Sequence, residues 1–287
     1  MATASAPAKG QGSSSLEQLL SRTLVIVAHP DDEAVSCGAL MQRITTSSVV
    51  FCTDATPESP YFWKPYYSRE AYQNLRRTEA MKALKIAGVS HLHFLAGDRL
   101  DSPFHDQYLY RVLPKAMHAL DRVLLEFRPH AILAPAYEGG HPDHDCCSFL
   151  ANALARKYGI QVWEMPLYHC CSTGDLVCQF FLDTRRTEVE LVPEAEELRV
   201  KKEMIDSYQS QASVWNFVRP GMVETFRPQP DYDYRQPPHL GLLNYEAWQW
   251  PMTGNDLCYA FQAFDEKTPD LQTILERAAN RTIEHVR

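Results

Sequence analysis

Two short runs carry most of the chemistry in this sequence: Val27-Ala28-His29-Pro30-Asp31-Asp32-Glu33 and, more than a hundred residues later, His141-Pro142-Asp143-His144. Two imidazoles and one carboxylate, with water in the fourth position, are a known catalytic zinc arrangement. His29, Asp32 and His144 offer that set. A second carboxylate beside the bound water, not itself on the metal, can take the water's proton during attack on a carbonyl, and Asp31 is the candidate. The remaining imidazole, His141, suits stabilisation of the oxyanion that develops there. The expected chemistry is metal-dependent hydrolysis. Zinc is the ion favoured by affinity order, with another divalent ion such as Fe2+ as the alternative.

Taken singly, these residues have ordinary uses, since Asp at a helix start caps the helix or favours its positive end. Their placement argues for more. Apolar, β-branched runs alternate with stretches of helical period: Thr23 to Ala28, then Ala34 to Ile44; Ser48 to Cys52, then Ser68 to Ala87; His91 to Leu95, then Gln107 to Phe127; Ala131 to Ala134, then Asp143 to Tyr158. A further strand, Gln161 to Leu167, leads into Leu176 to Leu182, and a helix is expected from Glu194 to Tyr208. Short continuous strands between long helices imply an α/β fold, a Rossmann-like three-layer α/β/α sandwich with a mostly parallel sheet buried on both faces. Ligands of such sheets sit at the carboxyl ends of the strands, at the switch point between strands 1 and 4. The two runs follow those two strands, so topology alone brings them face to face.

A chain of 287 residues with 45% apolar residues can bury a real core. Its net charge of −8, with Lys and Arg scattered, excludes nucleic acid as a partner. Residues 1–20 read as a disordered polar tail without an export signal. No apolar stretch approaches the roughly 20 residues that cross a bilayer, so a cytoplasmic protein with no membrane partner is expected. The eight cysteines lack any C-x-x-C spacing and read as small buried hydrophobes. Residues 21–215 form the expected catalytic domain. Residues 216–287 form an irregular extension, rich in Pro and aromatic residues, that completes the same domain or acts as a lid. The oligomeric state is not legible. The loop Asp54 to Tyr67, with Tyr61, Phe62 and Trp63, lies on the metal edge of the sheet, and its aromatics are candidates to stack on a substrate.

The two motifs resemble the LmbE-like or PIG-L-like family of metal-dependent N-acetylglucosaminyl deacetylases. The likeness extends to Gly38, to an R-x-x-E helix at Arg76 to Glu79 followed by Ala83 and Gly88, to Asp98 after strand 3, and to a late Y-x-S-Q element at Tyr208 to Gln211. It covers roughly residues 22 to 212. It implies an LmbE-like fold, zinc on His29, Asp32 and His144, Asp31 as general base and later acid, and His141 aiding the tetrahedral intermediate. Arg76 and Asp98 would touch the sugar. The sequence departs from the family at Gly139, where some members carry a tyrosine; Tyr137 and Glu138 stand just upstream, and Tyr137 joins Trp63 as a candidate substrate contact. A second departure is Gly38-Ala39, where the family has Gly-Gly.

The expected function is a zinc-dependent hydrolase that removes the N-acetyl group from an N-acetylglucosamine-like moiety of a small conjugate. One alternative is a metal-dependent amidase of another acyl amide or of a thiol conjugate. A second is a non-catalytic sugar-binding protein on the same fold.

Overall fold

The computed structural model describes residues 16–89, 91–97, 102–171, 174–183, 187–216, 218 and 221–267. Strand β1 (Arg22–Val27) is buried along five consecutive residues. That pattern places it at the centre of a parallel sheet covered on both faces. Its side chains alternate between the two layers of core. Leu24 and Ile26 pack with helices α4 (Leu113–Phe127), α5 (Pro142–Tyr158) and α8 (Gly254–Lys267) through Leu120, Leu150 and Phe261. Val25 and Val27 pack with α1 (Asp32–Arg43), α3 (Arg69–Ile86) and α6 (Ala195–Ser207) through Leu40, Ala83 and Met204.

The sheet has the order β3-β2-β1-β4-β5-β9-β8. Strands β2 (Thr46–Phe51), β3 (His91–Phe94), β4 (Ala131–Pro135) and β5 (Gln161–Met165) run parallel to β1, which pairs with β2 and β4. The expected mostly parallel three-layer sandwich is therefore present, with strands 1 and 4 side by side at the switch point.

Three features depart from the sequence reading. Strand β5 stops at Met165, before Pro166, which has no N–H to donate. The chain then folds β6 (Tyr168–Cys170) onto β7 (Leu176–Cys178) as a separate antiparallel pair. Helix α4 begins at Leu113 rather than near Gln107, because the carboxylate of Asp143 draws the amides of Gln107 and Leu109 at 2.6 and 3.0 Å and holds that segment outside the helix. The antiparallel edge of β8 (Val189–Leu191) and β9 (Glu224–Pro228) was not anticipated, and β9 reaches the main sheet from beyond residue 216 to pair with β5.

Helix α1 breaks at Cys37, whose backbone is non-helical. Just past the break the amides of Ala39 and Leu40 both donate to the buried carboxylate of Glu224 at 2.8 Å. Lys201 on α6 pairs with the same carboxylate at 2.8 Å. At the other end of the chain, Leu16–Gln18 form a 3-10 turn and Leu19 is buried. No helix among the described residues is long and apolar enough to cross a membrane. Cys37, Cys52, Cys146, Cys147, Cys170 and Cys258 are buried. The remaining short helices are α2 (Pro60–Trp63) in the loop after β2 and α7 (Asn244–Ala247) before α8.

Candidate metal centre

The chain leaves β1 through His29 and Pro30 and enters α1 at Asp32. Asp31 between them adopts φ 125°, a conformation that costs a non-glycine residue energy. Asp31 makes no capping hydrogen bond. Instead its carboxylate meets Arg76 of α3, with Nη1 3.3 Å from Oδ2. Burial pushes the Asp31 carboxyl up to about 7, against the pull of Arg76. Asp32 Oδ2 accepts from the His29 amide at 2.9 Å, and Oδ1 lies 3.2 Å from His144 Nε2. Burial opposes the charge of Asp32, but His144 and His29 outweigh it and hold the carboxyl well below its usual range. The two adjacent aspartates thus occupy different electrostatic environments.

The second run leaves β4 through Gly139 and Gly140. Gly139 has φ +72°, and a Cβ there would stand 2.6 Å from Leu243. At Gly140 a Cβ would fall 1.8 Å from the carbonyl oxygen of Tyr168. Only glycine lets the β6 segment and the chain before α7 close over this loop. The departure from the family tyrosine at residue 139 therefore has a steric cause. His141 then caps α5, its Nδ1 accepting the Asp143 amide at 3.1 Å. That bond assigns the proton of the neutral ring to Nε2, and burial, with His29 and His144 nearby, pushes the His141 pKa well below its usual value.

The two loops meet. Ring nitrogens of His29, His141 and His144 all lie within 4.8 Å of one another. His29 Nδ1 stands 3.6 Å from Asp32 Oδ2, and His29 Nε2 lies 3.3 Å from Asp143 and 3.4 Å from Asp106. Burial works against a charge on His29, but Asp106, Asp143 and Asp32 raise its pKa well above the ordinary value. Neither ring nitrogen of the buried His144 has a hydrogen-bond partner, nor has Asp106 Oδ1. Buried polar atoms are nearly always satisfied, so imidazole nitrogens without hydrogen bonds among carboxylates fit the binding of a cation. His29, Asp32 and His144 are a suitable donor set for a divalent ion, and His29 with Asp106, His141 and Asp143 is a second buried cluster of ligand atoms.

Of the other residues singled out in the sequence, Arg76 lines the cavity over this centre, with its guanidinium committed to Asp31 and to the carbonyl of Pro30 at 2.5 Å. Trp63 does not line it, although its neighbours Tyr61 and Phe62 do. Tyr137 is buried in the core, donating to the carbonyl of Gln236 at 2.8 Å, away from the cavity. Asp98 lies outside the described residues. Sequence reasoning missed Asp106, Tyr168 and Trp250, all on the cavity wall. Trp250 sets its ring edge-on to His141 at 4.8 Å, and Tyr168 packs on His144 at 5.3 Å. A lone Asp in a loop and isolated aromatics offer no spacing by which to find them.

The late Y-x-S-Q element braces the centre from behind. Tyr208 donates to Glu33, Ser210 donates to Glu79 through its amide at 2.8 Å and its hydroxyl at 2.6 Å, and Gln211 donates to the Tyr72 hydroxyl at 2.7 Å. Arg76 and Glu79 of the R-x-x-E helix thus face Asp31 and Ser210 respectively.

Residues 24–155 match the PIG-L family, described as GlcNAc-PI de-N-acetylase. The 1D-myo-inositol 2-acetamido-2-deoxy-alpha-D-glucopyranoside deacetylase of Mycobacterium sp. (strain KMS) is 27% identical over 182 residues, covering 56% of this chain and 58% of its own. The mycothiol S-conjugate amidase of Streptomyces coelicolor is 31% identical over 139 residues, covering 43% and 47%. The chain thus spans about half the length of the curated relatives it matches. The zinc-inhibited form of teicoplanin deacetylase Orf2 shares the fold, with a TM-score of 0.55 at 16% identity over 74% of this chain and 99% of that one.

Proposed function

Residues 24–155 match the PIG-L family, and from that premise we propose that the chain is a metal-dependent hydrolase removing the N-acetyl group from an N-acetylglucosamine-like moiety of a small conjugate. The observation that carries the reading is the convergence of His29, Asp32, His141 and His144 from two distant loops onto one buried point beneath a cavity. The named relatives support the choice of an N-acetylated amino sugar.

His29, Asp32 and His144 would hold the ion, zinc by affinity order. When bound, it would act as a Lewis acid that acidifies water and polarises the amide carbonyl. Asp31 stands beside this set and is not needed to complete it. It takes a proton from the attacking water and later delivers it to the leaving amine, so that amide and water give amine and acetate. Arg76 and the strained backbone of residue 31 fix that carboxylate in place. His141 directs its Nε2–H into the cavity, where it donates to the carbonyl oxygen as negative charge develops. Trp250 and Tyr168 cover the histidines and restrict water around them.

The test is acetate release from a panel of N-acetylated amino sugars by protein whose metal content is measured on the same sample. Acetate is expected from at least one N-acetylglucosamine conjugate. A metal-loaded preparation that releases none defeats the deacetylase assignment, and a variant Asp31→Ala that still supports the biological role would favour a sugar-binding protein.

A further inference from the structure

The cavity above the histidines has a volume of about 460 Å³, within the range of small-molecule sites. Its charged and imidazole side chains gather in one region, and Tyr72, Gln107, Tyr168, Gln211 and Ser213 also line it. Asp31, Asp32, Arg76, Asp106 and the three histidines form the floor, and the walls rising from it include Val35, Pro57, Phe62, Leu167, Val214 and Trp215. A continuous aromatic path leads outward on one side. Trp250 packs on His141 at 4.8 Å, Trp248 packs on Trp250 at 5.4 Å, and Trp248 is 46% exposed. On another wall Phe62 packs on Tyr61 at 5.2 Å, and Tyr61 is 70% exposed. Arg76 is the one Arg or Lys among the described residues of the lining, and Asp31 already occupies it.

A polyol or a carboxylate lying along these walls would exchange water for apolar surface without replacing its hydrogen bonds. A group without polar atoms would gain from the same exchange. Resting on the deacetylase reading of the floor, we propose that the substrate carries an uncharged apolar group beyond the scissile amide, seated along the Trp250–Trp248 and Phe62–Tyr61 walls. The polar floor takes only the amide and the few hydroxyls near it. The inositol in the name of the mycobacterial relative's substrate is a poor match for these walls.

Two sources of that group, an alkyl or aryl aglycone and a long N-acyl chain, present the same chemistry. Methyl N-acetylglucosaminide, its octyl counterpart, methyl N-octanoylglucosaminide and an inositol N-acetylglucosaminide are compared in two ways. Binding is followed by tryptophan fluorescence, and turnover by release of the carboxylic acid. One of the two octyl-bearing compounds is expected to bind at least tenfold more tightly than the methyl N-acetyl compound, and which one it is identifies the source. The substitutions Trp248→Ala and Phe62→Ala should each lower the octyl-to-methyl affinity ratio at least threefold. Equal affinities for all four compounds, or preference for the inositol conjugate, would overturn the proposal. Tight octyl binding without acid release from any compound leaves it standing while removing the hydrolase reading, so the two fail separately.

Discussion

Arg76 and Asp31, 45 residues apart in sequence, are joined inside the protein through a 3.3 Å contact between Nη1 and Oδ2. The same guanidinium donates to the carbonyl of Pro30, so one side chain from α3 grips both the carboxylate and the strained backbone that presents it. Arg76 is a positioning group in this geometry.

The first prediction follows from that pairing. Asp31→Asn should lower kcat by roughly 10²–10⁴, the usual worth of a general base. Arg76→Met should lower it about 10²-fold through loss of placement, and Arg76→Lys should recover part of that, since a single ammonium cannot grip both partners. Because the two act as a unit, the double variant should be no slower than Asp31→Asn alone. Additive losses in a double-mutant cycle would show that Arg76 acts independently of Asp31.

A second prediction separates the ligands from their neighbour. His29→Ala, Asp32→Ala and His144→Ala should each abolish stoichiometric metal, measured by elemental mass spectrometry after gel filtration. His141→Ala should keep the metal and lose activity by about 10²–10³, the usual cost of an oxyanion donor. Its ring is already engaged at Nδ1 as the cap of α5. Metal loss in His141→Ala together with retention in Asp32→Ala would shift the ligand set to the three imidazoles.

The sequence exposes the two motifs because their chemistry is local: each is four to seven consecutive residues at the end of a strand. It also exposes the sheet order around β1, since uninterrupted runs such as Leu24 to Val27 admit few arrangements. What it hides depends on contacts between distant segments. Asp106 enters the centre only because Asp143 holds the amides of Gln107 and Leu109 and so fixes the loop before α4. Trp250 reaches His141 only because Gly139 and Gly140 let two other segments close over the second motif. Nothing in the spacing of Tyr61, Phe62 and Trp63 tells which ring faces the substrate, and the short turn of α2 sends Phe62, not the indole, to the cavity.

A third prediction concerns the break in α1. Glu224 accepts from the amides of Ala39 and Leu40 and pairs with Lys201 at once, and all of these residues are buried. Removing the cation leaves a buried carboxylate uncompensated, so Lys201→Met should cost about 3–5 kcal/mol of stability. Glu224→Gln in the same chain should restore part of it, because a neutral amide oxygen still accepts from a backbone amide. Urea denaturation with unchanged m-values checks this. A loss below about 1 kcal/mol for Lys201→Met would mean that the pair adds little to holding β9 against α1.

The last prediction turns on Glu164, which lies on β5, away from the metal centre. Its carboxylate is buried and meets Arg227 at 2.7 Å and the Tyr232 hydroxyl at 2.9 Å. Burial pushes its pKa from 4.5 up to about 7, and the pull of Arg227 and Tyr232 does not offset it. The folded protein therefore holds a proton on Glu164, between about pH 4.5 and 7, that the unfolded chain has released. Binding more protons when folded means that stability from this group is fully present below about pH 4.5 and is lost as pH rises toward 7, by up to about 1.4 kcal/mol per pH unit within the window. Glu164→Gln cannot release a proton, so its stability should fall less steeply, or rise more steeply, than wild type between pH 5 and 6.5. The comparison is of slopes, because the amide also changes the hydrogen bonds with Arg227 and Tyr232 and so offsets stability at every pH. Parallel profiles of unfolding free energy for the two proteins across this window would show that Arg227 keeps Glu164 ionised throughout.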